Sequence, residues 1–484
     1  MATFKQRIPL FLVSSLLLTG ILALGAQMPF YFDDAFISFR ITENIREGIG
    51  PQLFQGKAVY SSTSLLYPFW NLIPAELHGK NWIDYIPYWN GCLMALAFCL
   101  ILMKSAGPNQ QKAEHLLWVL LPMLPWLLSP RNLVYGNSGL ETSLYLLSLA
   151  LCLQHEGMRI LSPWLIFIRP EGWLAGCAAF IGCLIQKDKK GMAKLAVNLM
   201  ASLLLWALAG YWLYGSILPQ SISAKANHYI DRLNEIEKGL SYAFFAGQFI
   251  PFSAFLFASY KFRDFRAEIL VPAIWAILYL LFFSLLAAWW PWYVPPLYAA
   301  FWYLGMRAGF RILGEYRLSK IQSWLLTLSL VVFCGWQLYR DLPAVKKSSE
   351  ACKIRMKSSR ALAGWLTDSI PKEKTILLEP LGMISWYGPE LKLLDYPGLS
   401  SVEMSEFLKH EHRRIPHRLT DPAINSVILK HFRPDVILQW PEEYAAFAKT
   451  GEFRKSYQLR KTLSYFPEEK QMDSVRIFMR HELN

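Results

Sequence analysis

Runs of apolar residues about as long as a bilayer-crossing helix, some 20 residues, recur near residues 8–27, 84–103, 113–130, 139–156, 171–186, 193–214, 241–259, 268–289, 291–306 and 321–339. A shorter run at 160–168 predicts a segment that crosses only partway. The pattern is that of a polytopic α-helical membrane protein with about eleven transmembrane helices. Pro122, Pro125, Pro251, Pro272, Pro295 and Pro296 fall inside the runs and predict kinks, which neighbouring helices in a bundle tolerate. The first run follows Lys5 and Arg7 as a signal peptide would, but it is long enough to span and lacks a small-x-small cleavage site. It is expected to stay as an uncleaved first span.

Beyond residue 340 the period changes. Short β-rich runs at Thr375–Glu379, Val436–Gln439 and Ser474–Met479 alternate with helix-like stretches such as Ser401–His410, the pattern of a small α/β domain. The expected division is a transmembrane domain over 1–340 and a soluble α/β domain over 341–484. No repeat of fixed period and no phosphate-binding glycine loop interrupts either part.

Composition agrees with the runs, at 54% hydrophobic, 15% aromatic and 18% charged residues, with 19 Trp suited to the two headgroup levels. The net charge of +13 is distributed in short clusters between apolar runs, with no basic arm, so nucleic acid is not an expected partner. With the N-terminus inside, the cytoplasmic face receives Lys104, Lys112, Arg159, the cluster Lys187, Lys189, Lys190 and Lys194, then Lys261, Arg263, Arg266, Arg307, Arg311, Arg317 and Lys320. The outer loops are then 28–83, Arg131–Ser138, 215–240 and Trp290–Trp292, and the C-terminal region lies outside. Lys346, Lys347, Lys353, Arg355, Lys357 and Arg360 follow the last run and oppose that placement, although large domains translocate largely regardless of charge. Six of the seven cysteines lie in apolar runs, which leaves no disulfide framework and no zinc site.

The outer segments carry the candidate chemistry. Asp33 and Asp34 stand at the mouth of the first span, with Arg40 two helical turns on. Adjacent carboxylates raise one another's pKa, which suits a group that accepts a proton; an Asp that opens a helix is equally an N-cap. The stretch Tyr60–Trp70 is a second amphipathic segment of the same loop, so two juxtamembrane helices are expected to lie along the membrane surface. Glu141 lies in the outer turn after Asn137, and Arg169 with Glu171 falls at membrane depth, where ionisable residues default to function. A salt bridge within a broken helix would also account for that pair. Lys225 and His228 supply polar groups beside the membrane, and a lysine with Arg169 can clamp a phosphate. Two carboxylates and a lipid phosphate offer hard oxygen ligands to a divalent cation, but no His or Cys cluster calls for one.

Taken together, Asp33-Asp34-Ala35-Phe36-Ile37-Ser38-Phe39-Arg40, Ser138-Gly139-Leu140-Glu141-Thr142, Arg169-Pro170-Glu171-Gly172, Tyr214–Pro219, Pro291–Pro296, Leu381–Gly388 and Leu394–Leu399 resemble the C-type superfamily of polytopic glycosyltransferases that use polyprenyl-phosphate sugars. The branch they look most like contains the mycobacterial arabinofuranosyltransferases. The resemblance implies an enzyme of the bacterial inner membrane with a periplasmic active site above the first loop. It implies a polyprenyl-phosphate sugar donor and an acceptor hydroxyl on a cell-envelope glycan, lipid or surface protein such as pilin. In that scheme Asp33 takes the proton and Asp34 orients the acceptor or Arg40. Arg169, Lys225 and Arg40 hold the donor phosphate, and Glu171, Glu141, Tyr60, His228 and Trp292 line the substrates. One departure is the stretch of about a dozen residues before Arg169, where the family usually has a full crossing. The competing class is a lipid-linked-sugar flippase or other transporter, which would call for inverted halves with matching broken helices; none is visible.

Overall fold

The computed structural model describes residues 28–54, 56, 58–106, 129–154, 156–222, 224, 232–244, 267–287, 289–316, 320–411, 419–464 and 474–481. The expected spans at 8–27, 113–130 and 241–259 lie wholly or largely outside these residues. In chain order the main helices are α1 Asp33–Arg46, α2 Trp82–Ala106, α3 Pro130–Gly136, α4 Thr142–Gln154, α5 Trp173–Ile185, α6 Lys189–Tyr214, α7 Arg232–Phe244, α8 Ala267–Leu285, α9 Val294–Tyr316, α10 Lys320–Ser369, α11 Gly382–Tyr387, α12 Val402–His410, α13 Pro422–Phe432 and α14 Pro441–Ala448. The strands are β1 Thr375–Leu378, β2 Lys392–Asp395, β3 Val436–Gln439, β4 Tyr457–Ser464 and β5 Ser474–Arg480.

The chain forms two compact units. One comprises Met1–Phe30, Asn81–Trp206 and Arg232–Ser349; the other comprises Tyr31–Lys80, Ala207–Asp231 and Glu350–Asn484. Helix α10 runs through residues 340 and 341 without a break, and two segments from the N-terminal half group with Glu350–Asn484.

In the helical unit α4 packs on α2, α5 and α7 pack on α8, and α9 contacts both α8 and α2. Among the described residues one helix, α6, is both long and apolar enough to cross a membrane, and it turns Val197, Met200 and Leu204 outward. Thr142–Leu153, Pro170–Ile185 and Ile269–Leu285 are shorter apolar helices that coincide with expected runs to within a residue at their ends or lie inside them. The run at 139–156 is shortened because Gly139 adopts a positive φ of 80° and ends in a turn before α4 begins. The run at 160–168 is a 3-10 turn over Ser162–Phe167. Its continuation as helix is blocked at Arg169, whose extended backbone (φ −147°, ψ 136°) is the conformation favoured before a proline.

The second unit is built on a five-stranded sheet of order β2-β1-β3-β5-β4, parallel across its first three strands and antiparallel across the rest. Alternation along the strands divides its core between two faces. Ile376, Leu378, Val436, Leu438 and Ile477 pack against Leu362 and Leu366 of α10, Ile384 of α11, and Ile37 and Ile41 of α1. Leu377, Ile437 and Phe478 pack on the opposite face against Met404 and Leu408 of α12, Ile424 and Ile428 of α13, and Phe447 of α14. The apolar residues Ala35, Phe36, Ile37, Phe39 and Ile41 of α1 are buried, with Ile37 and Ile41 in the core under the sheet.

Candidate active site

Two constellations gather the residues singled out in the sequence, one in each unit. In the second unit α1 begins at Asp33 after Phe32, so both carboxylates occupy the first turn, where the helix dipole favours negative charge. Phe32 provides no side-chain cap. Asp33 instead caps a different helix: its Oδ2 accepts from the Gly382 backbone N–H at 2.5 Å and its Oδ1 from Met383 N–H at 2.9 Å. These are the first two residues of α11, so one carboxylate satisfies two of that helix's unpaired donors. Gly382 is required for this approach, since a Cβ there would clash with the Asp33 carbonyl. Burial pushes the Asp33 carboxyl up to about 6, although the two backbone donors and Arg355 work in the opposite direction.

The rest of the first loop folds onto α1 and the sheet. The Tyr31 N–H donates to Cys352 Sγ (3.2 Å), and Phe36 meets Trp386 edge-on at 6.5 Å. Ser38 and Ser62 hydroxyls pair at 3.1 Å, and Thr42 Oγ1 donates to the Pro68 carbonyl at 2.8 Å. Tyr60 is buried and stacks on Tyr214 (4.6 Å, 13°), while its carbonyl accepts from Gln220 N–H at 2.8 Å. Gln220 Nε2 reaches the Gly398 carbonyl at 3.4 Å. Five sequence segments spread over residues 33–400 thus converge in one unit. Arg40 is largely buried, with Glu47 3.9 Å away, and its Nε has no hydrogen-bond partner among the described residues. Lys225 and His228 lie outside the described residues.

In the helical unit Arg169 is 1% exposed, with its Nε 2.9 Å from Glu171 Oε1 and 3.3 Å from Glu141 Oε1. Its guanidinium lies 4.3 Å from the ring centroid of Tyr293 and 5.5 Å from that of Tyr145. Nη1 and Nη2, the fork suited to phosphate or carboxylate, have no hydrogen-bond partner among the described residues. Gly172 allows the Pro170–Gly172 turn to press on the Leu165 carbonyl, which fixes Arg169 and Glu171 at the start of α5. Trp292 contributes its carbonyl to Thr142 Oγ1 (3.2 Å), and its ring stacks on Trp290.

Sequence reasoning did not single out Tyr293, Tyr145, Tyr279 or Glu235 as site residues. Tyr279 donates its hydroxyl to the Tyr293 carbonyl at 3.0 Å, and buried Glu235 accepts from Trp289 N–H at 2.5 Å, so both hold the aromatic turn that covers Arg169. Tyr293 lies within the Pro291–Pro296 motif; Glu235 carries no sequence signal. Among the described residues no three His, Cys, Asp or Glu side chains converge to hold a metal ion.

Residues 350–478 match the family model described as a domain of unknown function, DUF8728. No curated protein matches the chain. Among solved structures it is similar to ArnT from Cupriavidus metallidurans bound to undecaprenyl phosphate, with a TM-score of 0.56, 13% identity and 97% of each chain covered. The apo form of the same protein gives a TM-score of 0.52 at 14% identity, covering 99% of this chain and 98% of the other. The chain shares its fold with ArnT over nearly the full length.

Proposed function

We propose that the protein is a polyprenyl-phosphate-dependent glycosyltransferase that moves a single sugar to a hydroxyl of a cell-envelope glycan, lipid or protein on the periplasmic face of the inner membrane. The observation that carries this reading is the near full-length fold likeness to a protein crystallised with undecaprenyl phosphate. The motif resemblance supports the same donor class and makes arabinofuranose the first sugar to test.

The reaction is a displacement at the anomeric carbon. The acceptor oxygen forms the new bond to that carbon, the bond from the carbon to the phosphate oxygen breaks, and the polyprenyl phosphate leaves with the electron pair. An aspartate of the Asp33–Asp34 pair takes the hydroxyl proton. Both oxygens of Asp33 accept backbone N–H groups, which favours Asp34 as the base and Asp33 as the group that positions the start of α1. This reverses the roles expected from the motif alone. Arg169 is the helical unit's candidate for the donor phosphate, because its fork has no hydrogen-bond partner among the described residues and its charge is held in place by two carboxylates and a ring. An apolar crevice lined by Ile101, Leu146, Leu153, Pro272, Pro296 and Tyr303 supplies surface that an isoprenoid chain can cover.

The experiment is transfer of radiolabelled sugar from synthetic polyprenyl-phosphate sugars into envelope extract by the purified protein in vesicles. Incorporation that depends on the protein supports the reading. Inactivity with every donor, together with movement of the lipid-linked sugar across the bilayer, would replace it with the flippase reading.

A further inference from the structure

The loop that joins α3 to α4 in the helical unit is short and closed. At its ends Ser143 Oγ donates to the Gly136 carbonyl at 2.5 Å, and Gly139 makes the reversal with a φ of 80°. Glu141 within it lies 3.3 Å from Arg169 Nε. On the other side α3 packs on the Pro291–Tyr293 turn, and Thr142 Oγ1 donates to the Trp292 carbonyl at 3.2 Å. Neighbouring polar groups are bonded within the protein: Ser138 Oγ donates to the Tyr135 carbonyl at 2.7 Å, and Asn90 Nδ2 to the Leu140 carbonyl at 3.4 Å.

Asn137 departs from this pattern. It is 2% exposed, and its backbone N–H donates to the Leu133 carbonyl at 3.0 Å. Yet neither Oδ1 nor Nδ2 of its side chain has a hydrogen-bond partner among the described residues. An asparagine that only shapes a turn bonds the nearby backbone through its amide. The Arg169 fork, Nη1 and Nη2, likewise has no hydrogen-bond partner among the described residues. Asn137 and Glu141 are four residues apart, so their Cα atoms are at most about 14 Å apart. The amide and the fork therefore belong to one small region of the helical unit.

We propose that Asn137 is a specificity-determining residue of the donor site, its side-chain amide binding one hydroxyl of the sugar whose phosphate meets Arg169. The proposal rests on the glycosyltransferase reading and adds to it the chemistry of the group recognised. A carboxamide presents both a donor and an acceptor, and a hydroxyl accepts and donates at once, whereas an ammonium offers Nδ2 no acceptor. The amide therefore selects a neutral hydroxyl at this position. A site built to bond a hydroxyl rejects an analogue that lacks it, because its own buried polar atoms are then left unbonded.

The test measures binding without turnover, by native mass spectrometry of the full chain in a neutral detergent. The probes are polyprenyl phosphate and polyprenyl-phosphate arabinofuranose, mannose and glucose, followed by the monodeoxy analogues of the sugar donor that binds most tightly. The wild type is expected to bind one monodeoxy analogue about tenfold or more weakly than its parent. Asn137→Leu is expected to bind that analogue and its parent equally, and to bind polyprenyl phosphate as the wild type does. Its thermal unfolding without ligand is expected to be no earlier than that of the wild type, because the change removes polar atoms that the protein leaves unbonded. A residue that only shapes the turn would lose stability on this change and leave the discrimination intact. Monodeoxy analogues that all bind the wild type as tightly as the parent overturn the proposal, as does discrimination retained in Asn137→Leu. Sugar donors that bind no better than polyprenyl phosphate overturn it too, with the lipid part of the donor site left standing. Failure of every probe to bind, polyprenyl phosphate included, overturns the glycosyltransferase reading itself.

Discussion

Asp33 and Met383 lie 350 positions apart in the sequence and are joined by a 2.9 Å hydrogen bond from the Met383 backbone N–H to Asp33 Oδ1, beside the Gly382 bond to Oδ2. The acidic motif of the first loop is therefore a layer of the C-terminal α/β unit. Its two aspartates should separate on mutation. Asp34→Asn is expected to lower kcat by about 100- to 10,000-fold with unfolding unchanged. Asp33→Asn is expected to lower thermal stability and activity together, because an amide cannot accept on both atoms. Paired kinetics and thermal unfolding in detergent check this, and an Asp34→Asn protein with full activity would return the base role to Asp33.

Burial raises the folded-state Asp33 carboxyl to about 6, against about 3.9 in an unfolded chain. Between these values the folded protein holds more protons than the unfolded one, so this group's contribution to stability is fully present below about pH 4 and is lost as pH rises through 6. Unfolding midpoints measured from pH 4 to 7 should show that decline in the wild type more strongly than in Asp33→Asn.

Gly382→Ala places a methyl group against the Asp33 backbone carbonyl. Overpacking of this kind costs about 1–3 kcal/mol, so the variant should unfold earlier. It should also expose α1 to protease, although it removes no charged group.

These relationships were only partly legible in the sequence. Val436–Gln439 coincides with β3, and Thr375–Glu379 and Ser474–Met479 nearly match β1 and β5, because each is a compact β-rich run bounded by breakers. The four residues of β2 gave no period to read, and β4 is rich in Lys, Arg and Gln, so both were missed. The continuation of α10 to Ser369 was missed because its charged half has no transmembrane signature. Asp33, Arg169 and Glu171 were visible as polar groups in unusual places. Their partners were not: Asp33 is held by backbone N–H groups, and Tyr293 meets Arg169 through a ring face, contacts that residue type does not encode.

Arg169 should tolerate neither loss of charge nor loss of shape. Arg169→Met leaves Glu141 and Glu171 facing each other inside the helical unit and is expected to cost about 3–5 kcal/mol. Arg169→Lys keeps the charge but loses the two-pronged guanidinium fork, so the KM for a polyprenyl-phosphate donor should rise about tenfold with a smaller change in stability. Donor titrations and unfolding curves on the two variants separate these effects.

The central claim is tested most directly by sugar transfer from a panel of radiolabelled polyprenyl-phosphate donors, with the wild type compared with the Asp33→Asn, Asp34→Asn double variant at equal protein and equal folded fraction. The account predicts transfer from one donor by the wild type and its loss in the double variant. Transfer at the wild-type rate by the double variant would contradict the catalytic role of the pair, and no transfer from any donor by either protein would contradict the enzyme class.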